Sequence, residues 1–208
     1  MAAKPIIGII GSIGAGKSLV AAELARHGGF LIIADALGHE GLRNSGIKAQ
    51  VVARWGQDLV KADGEIDRRK LGAIVFADPS ARHALEGIQF PFIGARVREE
   101  IARGQADPQA RFIVLDAAVL LEAGWRATCD RIVFVDAPRE VRLQRLQTNR
   151  QWSAAELENR ERSQMSLEEK RAAADVVVVN AGSVETVLAR VREVLFGWNL
   201  LPEKGGLC

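Results

Sequence analysis

Apolar runs alternate with helix-period segments along the chain, the pattern of a parallel sheet covered by helices. Pro5-Ile-Ile-Gly-Ile-Ile10 reads as a first strand, and residues 30–34, 112–116, 131–136 and 175–180 as four more. Their Val and Ile content is nearly continuous rather than alternating, which suits strands buried on both faces. Residues 17–27 read as a helix with Val20 and Leu24 inward and Gly28-Gly29 as its stop. A last helix over residues 183–196 carries Val184, Val187, Leu188, Val191, Val194 and Leu195, with Ser183 placed to cap it.

Residues 36–110 are helical in pattern and far longer than the dozen or so residues that a βαβ crossover needs. Within them, residues 80–104 read as a helix pair or a kinked helix broken near Pro91. The excursion is expected to be a helical insertion for a second substrate; padding around the sheet edge is the alternative. The whole is expected to be one α/β domain of 208 residues, with its core at about 1–35 and 111–200.

Charge and composition narrow the partners. A net charge of +2 does not call for nucleic acid, so affinity for polyphosphate must come from locally placed Lys and Arg. Cys129 and Cys208, with no His at metal spacing, argue against a disulfide framework and against zinc. No apolar run approaches the ~18 residues of a membrane span, and Met1-Ala-Ala-Lys4 is too short for a signal peptide. The expectation is a cytoplasmic protein, monomeric or weakly homo-oligomeric, with residues 201–208 frayed.

Gly11-Ser-Ile-Gly-Ala-Gly-Lys-Ser18 satisfies G-x-x-x-x-G-K-[ST] at every fixed position, directly after a strand and before an amphipathic helix. Gly11, Gly14 and Gly16 allow a tight turn that brings backbone N–H groups against phosphate oxygens. The helix that follows points its positive end at the same place. Lys17 reaches the outer phosphates and the Ser18 hydroxyl can ligate Mg²⁺. Ile13, Ala15 and Leu19 complete the expected ATP-binding stretch. The competing view is a Gly-rich turn with an incidental lysine.

A phosphate loop alone does not separate a kinase from a switch. The Asn-Lys-x-Asp tetrad of guanine-specific switches is not found. A kinase needs a group that takes the acceptor hydroxyl's proton, and Asp35, just past the second strand, is the candidate. If that strand neighbours the first, its carboxylate faces the triphosphate across a short gap; the alternative reading of Asp35 is a cap on the following helix. Asp116, ending the third strand, is placed as a metal-side carboxylate or a strand-end turn residue, and Glu122 as a second such carboxylate or a helix-start residue. Residues 139–171 are rich in arginine with interleaved glutamates, mostly a solvated, ion-paired face. Arg145 and Arg150 sit at the end of one helix and the start of a short polar segment, residues 148–153, of lid length (the lid spanning about 146–165), where an arginine can clamp the transferring phosphate.

Several ordered segments together resemble the dephospho-CoA kinase family. They are Ile32-Ile-Ala-Asp35, Asp67-Arg-Arg-Lys-Leu-Gly72, Val75-Phe-Ala-Asp-Pro79, Asp116-Ala-Ala-Val-Leu-Leu-Glu122, Arg145-Leu146, Gln164, Ala174-Asp175 and Asn180-Ala-Gly182. The resemblance implies a P-loop kinase core with five parallel strands in the order 2-3-1-4-5, a helical CoA-binding subdomain and a lid. It implies transfer of the ATP γ-phosphate, with Mg²⁺, to the ribose 3′-hydroxyl of dephospho-CoA. Asp35 matches the family's catalytic aspartate, and Asn180 falls where the family contacts adenine. The chain departs from the family at Ile33, at Phe90-Pro91 in place of His-Pro, at Ala118-Val-Leu-Leu-Glu122 in place of Pro-Leu-Leu-Phe-Glu, and at Asn149-Arg150. Kinases of a nucleoside, shikimate or gluconate, and a nucleotide-dependent switch without turnover, are the alternatives.

Overall fold

The computed structural model describes residues 3–201, so the expectation for the tail beyond Leu201 lies outside the described residues. The chain divides into two compact units. One runs to Ile32 and resumes at Ile101; the other is Ile33–Glu100.

In chain order the elements open with β1 (Ile6–Gly11), α1 (Lys17–Arg26), β2 (Gly29–Ile33) and α2 (Ala34–Gly41). There follow α3 (Ser45–Trp55), α4 (Arg68–Ala77), α5 (Pro79–Ala106), β3 (Phe112–Asp116) and β4 (Arg131–Asp136). The chain then forms α6 (Arg139–Arg150), α7 (Ala154–Arg162), α8 (Leu167–Ala172), β5 (Val176–Val179) and α9 (Val184–Gly197).

The five strands form one sheet in the order β2-β3-β1-β4-β5. β1 lies at its centre, parallel to β3 on one side and β4 on the other, with Ile9 opposite Asp116 and Gly11 opposite Val135. Residues 7–11 are buried throughout, as a central parallel strand requires. Ile7, Ile9, Val114, Val133 and Val135 pack with Val20 and Leu24 of α1 and Val187, Val191 and Leu195 of α9. Ser183 caps α9 by accepting from the Thr186 amide, as its position predicts. Strand ends differ from the sequence expectation by a residue or so, the usual fraying of such boundaries.

The second unit gathers around Leu42, Ile47, Val51, Leu59, Ile66, Leu71 and Val75. Asn44 caps α3 and Asp67 caps α4, each side chain accepting from two first-turn amides. Of the two arrangements expected over residues 80–104, the helix pair does not occur: α5 is one helix of 28 residues with Pro91 inside it. An interior proline costs about 3 kcal/mol. The neighbouring Ile88 and Phe92 pack on the unit's core and Ile93 and Val97 are buried. At roughly 1.5–3 kcal/mol per buried side chain, that packing outweighs the loss and holds the helix together.

The expected polar segment over residues 148–153 is also shorter than anticipated. α6 continues to Arg150 and stops at Gln151, whose φ of 57° is left-handed. Ser153 then opens α7 and Ser166 opens α8, each through a capping box with the glutamate three residues on. No helix among the described residues is long and apolar enough to cross a membrane.

The end of α5 approaches the sheet closely. A Cβ at Gly104 would stand 2.8 Å from the Phe30 ring and 3.1 Å from Ile113. Gly104→Ala gains about 1 kcal/mol in helix propensity but overpacks by about 1–3 kcal/mol. The expected net result is a lower urea midpoint, read by circular dichroism; a raised midpoint would show that the helix can move away.

Candidate active site

The phosphate loop leaves the sheet at its central strand. A Cβ at Gly11 would stand 2.4 Å from the Val135 carbonyl oxygen, so only glycine lets β1 run this close to β4. Gly14 and Gly16 have φ of 80° and 88°, the left-handed region. The loop is tied from outside through its carbonyls. The Ala15 oxygen accepts from Asn180 Nδ2 at 2.8 Å and from Arg145 Nη1 at 3.4 Å. Arg145 Nη2 in turn donates to Asn180 Oδ1 at 3.1 Å. The Ile13 oxygen accepts from Arg142 Nη1 at 3.2 Å. Ser12 is buried; its amide donates to Val135 O and its hydroxyl to Asp136 Oδ1. With the Ile13 and Ala15 carbonyls drawn outward and α1 opening at Gly16 without a side-chain cap, the amides of Lys17 and Ser18 are left for an anion, while the Leu19 amide donates to Gly16 O at 3.0 Å. Lys17 is the first residue of α1 and half-buried; Ser18 follows, exposed, and then Leu19.

Asp116 ends β3 beside Ile9, two residues before Gly11. Glu122 lies in a turn rather than at a helix start, and its charge is engaged. Its Oε1 accepts from the Lys170 ammonium at 3.2 Å and from the Met165 amide at 3.0 Å, while Oε2 is buried without a hydrogen-bond partner. Lys170 is fully buried and also donates to Gln164 Oε1 at 2.9 Å. Burial pushes its ammonium below the ordinary lysine range; the Glu122 charge and hydrogen bond resist, and Lys17 adds to the depression.

Two of the basic residues in the 139–171 stretch are buried rather than part of a solvated face. Lys170 is one. Arg142 is the other, only 4% exposed, its Nε donating to Ala137 O at 3.0 Å and its Nη1 pairing with Glu161 of α7. The interleaved glutamates were the available signal, but nothing local distinguishes Glu161 and Glu122 from their exposed neighbours. Arg150 is the last residue of α6, exposed, with its guanidinium 5.4 Å from the Trp152 ring centre; Arg160 lies 4.1 Å from the same ring.

Asp35 sits in the first turn of α2, in the second unit, and is exposed. It does not cap the helix: the N-cap is Ile33 and no side chain caps it. The strand before it borders β3, not β1, so direct adjacency to the first strand does not hold. The structure therefore brings Lys17, Ser18, Ala15, Arg145 and Asn180 together around one loop. Among the described residues, no group of three or more His, Cys, Asp or Glu is arranged to hold a metal.

Residues 5–186 match the protein family described as Dephospho-CoA kinase. A dephospho-CoA kinase from Frankia casuarinae is 42% identical over 195 residues, covering 90% of this chain and 81% of that protein. Among solved structures, TT1252 from Thermus thermophilus superposes with a TM-score of 0.78 at 34% identity, covering 94% of this chain and 98% of the other. The dephospho-CoA kinase from Campylobacter jejuni shares the fold, with a TM-score of 0.68 at 24% identity over 93% of this chain and 96% of its own.

Replacing Lys170 by Met removes the cation and leaves Glu122 half-buried and unpaired. We expect a stability loss of about 2–4 kcal/mol in urea unfolding, since breaking a buried pair exposes the desolvation of the survivor. The double change Lys170→Met with Glu122→Gln should recover part of it. An unchanged midpoint in the single variant would mean the pair contributes nothing.

Proposed function

The chain belongs to the dephospho-CoA kinase family, and we infer that it transfers the γ-phosphate of ATP to the ribose 3′-hydroxyl of dephospho-CoA, giving coenzyme A and ADP. The family match over residues 5–186 carries this inference; the phosphate loop, with its Ile13 and Ala15 carbonyls tied outward by Arg142, Arg145 and Asn180 and Lys17 at the start of α1, supports the ATP half of it.

In this scheme the loop amides of residues 13–18 and the Lys17 ammonium hold the β- and γ-phosphates, with Leu19 continuing the helix behind them. Ser18 and Asp116 offer a hydroxyl and a carboxylate, the hard oxygen donors that suit Mg²⁺, and bound Mg²⁺ would neutralise phosphate charge there. Asn180 has one amide hydrogen and one lone pair of its side-chain oxygen still to give, enough to read an adenine edge. Arg145 contributes its charge beside the loop. We assign residues 151–165, with Arg150 at their entrance, to a lid, and Ile33–Glu100 to acceptor binding. Asp35 takes the proton of the acceptor hydroxyl as the new P–O bond forms. Support for Asp35 is its place two residues after β2, at the strand end where ligands collect in open α/β sheets. A cytoplasmic, monomeric or weakly associating enzyme is consistent with this role.

A coupled assay of ADP release tests the substrate. Dephospho-CoA should support turnover, whereas shikimate, gluconate and nucleosides should not; ADP release with none of them would leave a binding protein. Asp35→Asn should lower kcat by about 10²-fold or more with little change in KM for ATP, the scale of lost acid–base catalysis. A wild-type rate would remove Asp35 from the mechanism. Lys17→Ala should weaken ATP use with every acceptor, and unchanged ATP kinetics would contradict its place on the phosphates.

A further inference from the structure

The segment Asp67-Arg-Arg-Lys-Leu-Gly72 opens α4, and its charges face a cavity of about 550 Å³ within the second unit. That volume falls within the ordinary range of small-molecule sites. The walls carry both signs of charge, but the anions are already engaged. Asp63 pairs with Lys61 at 2.8 Å, and Glu65 pairs with Arg43 at 3.5 Å. The Asp67 carboxylate accepts from the Arg69 and Lys70 amides at 3.0 and 3.1 Å. Arg68 and Arg69 line the same cavity, are exposed, and meet no carboxylate among the described residues. Two guanidinium groups are thus left to face whatever enters.

The cavity is linked to Asp35 through α2. His39 lines it and stands one helical turn beyond Asp35, about 6 Å along the axis. Burial lowers the His39 pKa, Arg68 lowers it further and Asp35 opposes, so both charges act on the same ring. In an adenosine 5′-diphosphate ester, a ribose ring and its 5′-carbon separate the 3′-hydroxyl from the diphosphate, a span comparable to that turn. With the hydroxyl at Asp35, a diphosphate lying along α2 reaches His39, whose cavity Arg68 and Arg69 share.

We propose that Arg68 and Arg69, in a wall shared with His39, grip the 5′-diphosphate of the acceptor and so set which hydroxyl compounds are phosphorylated. This rests on the acceptor being dephospho-CoA and on Asp35 receiving its proton. Guanidinium is suited to the task because its planar fork matches phosphate oxygens two at a time. An acceptor without the diphosphate would leave both arginines unanswered.

The test compares Arg68→Gln, Arg69→Gln and the double variant with wild type by steady-state kinetics at saturating ATP. The double variant should raise KM for dephospho-CoA by roughly 10- to 100-fold, the scale of lost charge-assisted hydrogen bonds. KM for ATP should stay at the wild-type value, which also reports an intact fold. Adenosine, which lacks the diphosphate, should inhibit competitively against dephospho-CoA with the same constant in wild type and variants. Arg68→Lys should restore part of the loss as a point charge. An unchanged KM for dephospho-CoA, or equal weakening of adenosine and dephospho-CoA, overturns the proposal while leaving the kinase activity standing. A wild-type protein inert towards dephospho-CoA overturns the activity and this proposal together.

Discussion

Arg142, Arg145 and Asn180 reach the phosphate loop from outside and take its carbonyl oxygens, and the shape of the loop depends on those contacts. A loop that must present N–H groups to an anion has to send its C=O groups elsewhere, because each peptide unit carries both. Here those of Ile13 and Ala15 go to two guanidinium groups and a buried amide, and those of Ser12 and Gly16 to backbone amides three residues on. A hydrogen bond to a charged donor contributes about 1.5–3 kcal/mol, more than a neutral one. Gly16 meets the same constraint twice. Its φ of 88° excludes most side chains, and a Cβ there would stand 2.4 Å from Asn180 Nδ2, displacing the amide that holds Ala15. The glycines thus serve the anchors as much as the turn.

The features legible in the sequence were those with local causes. Strand, phosphate loop and helix are specified by contiguous residues, and the structure has them within a residue or so of the expected bounds. Strand order is different. Nothing in the periodicity of five apolar runs says which lies beside which. The order β2-β3-β1-β4-β5 followed from resemblance to the family, and in it the condition set for the strand before Asp35, adjacency to the first strand, is not met. Pro91 shows the limit of local rules from the other side. The proline disfavours helix at its own position, yet Ile88 before it and Phe92 after it pack on the unit's core, Ile93 and Val97 are buried, and the helix runs through.

Arg142 and Lys170 were not legible at all. By composition each sits in a stretch of alternating charge, which ordinarily faces water. Burying either requires partners distant in sequence: Glu161 and two loop carbonyls for Arg142, Glu122 and Gln164 for Lys170. Desolvating a cation costs several kcal/mol, so such a site exists only where geometry returns most of that through paired charge and hydrogen bonds. A single sequence does not reveal where that geometry will arise.

Both buried cations tether the same stretch of chain. Arg142 joins α6 and the Ile13 carbonyl to α7, and Lys170 with the Met165 amide joins α8 and its approach to the turn after β3. Within α7 and α8 the side chains buried in full are Leu157 and Lys170, so little apolar area fastens these helices to the sheet. Polar tethers differ from apolar packing in one respect that matters beside a phosphate loop. Apolar contact is insensitive to charge placed nearby, whereas an ion pair in a partly desolvated setting responds to it over several ångströms. Lys17 already depresses the Lys170 pKa in the protein alone. The tether of α8 and the phosphate loop therefore lie within reach of one another's charge, as two apolar contacts in the same places would not.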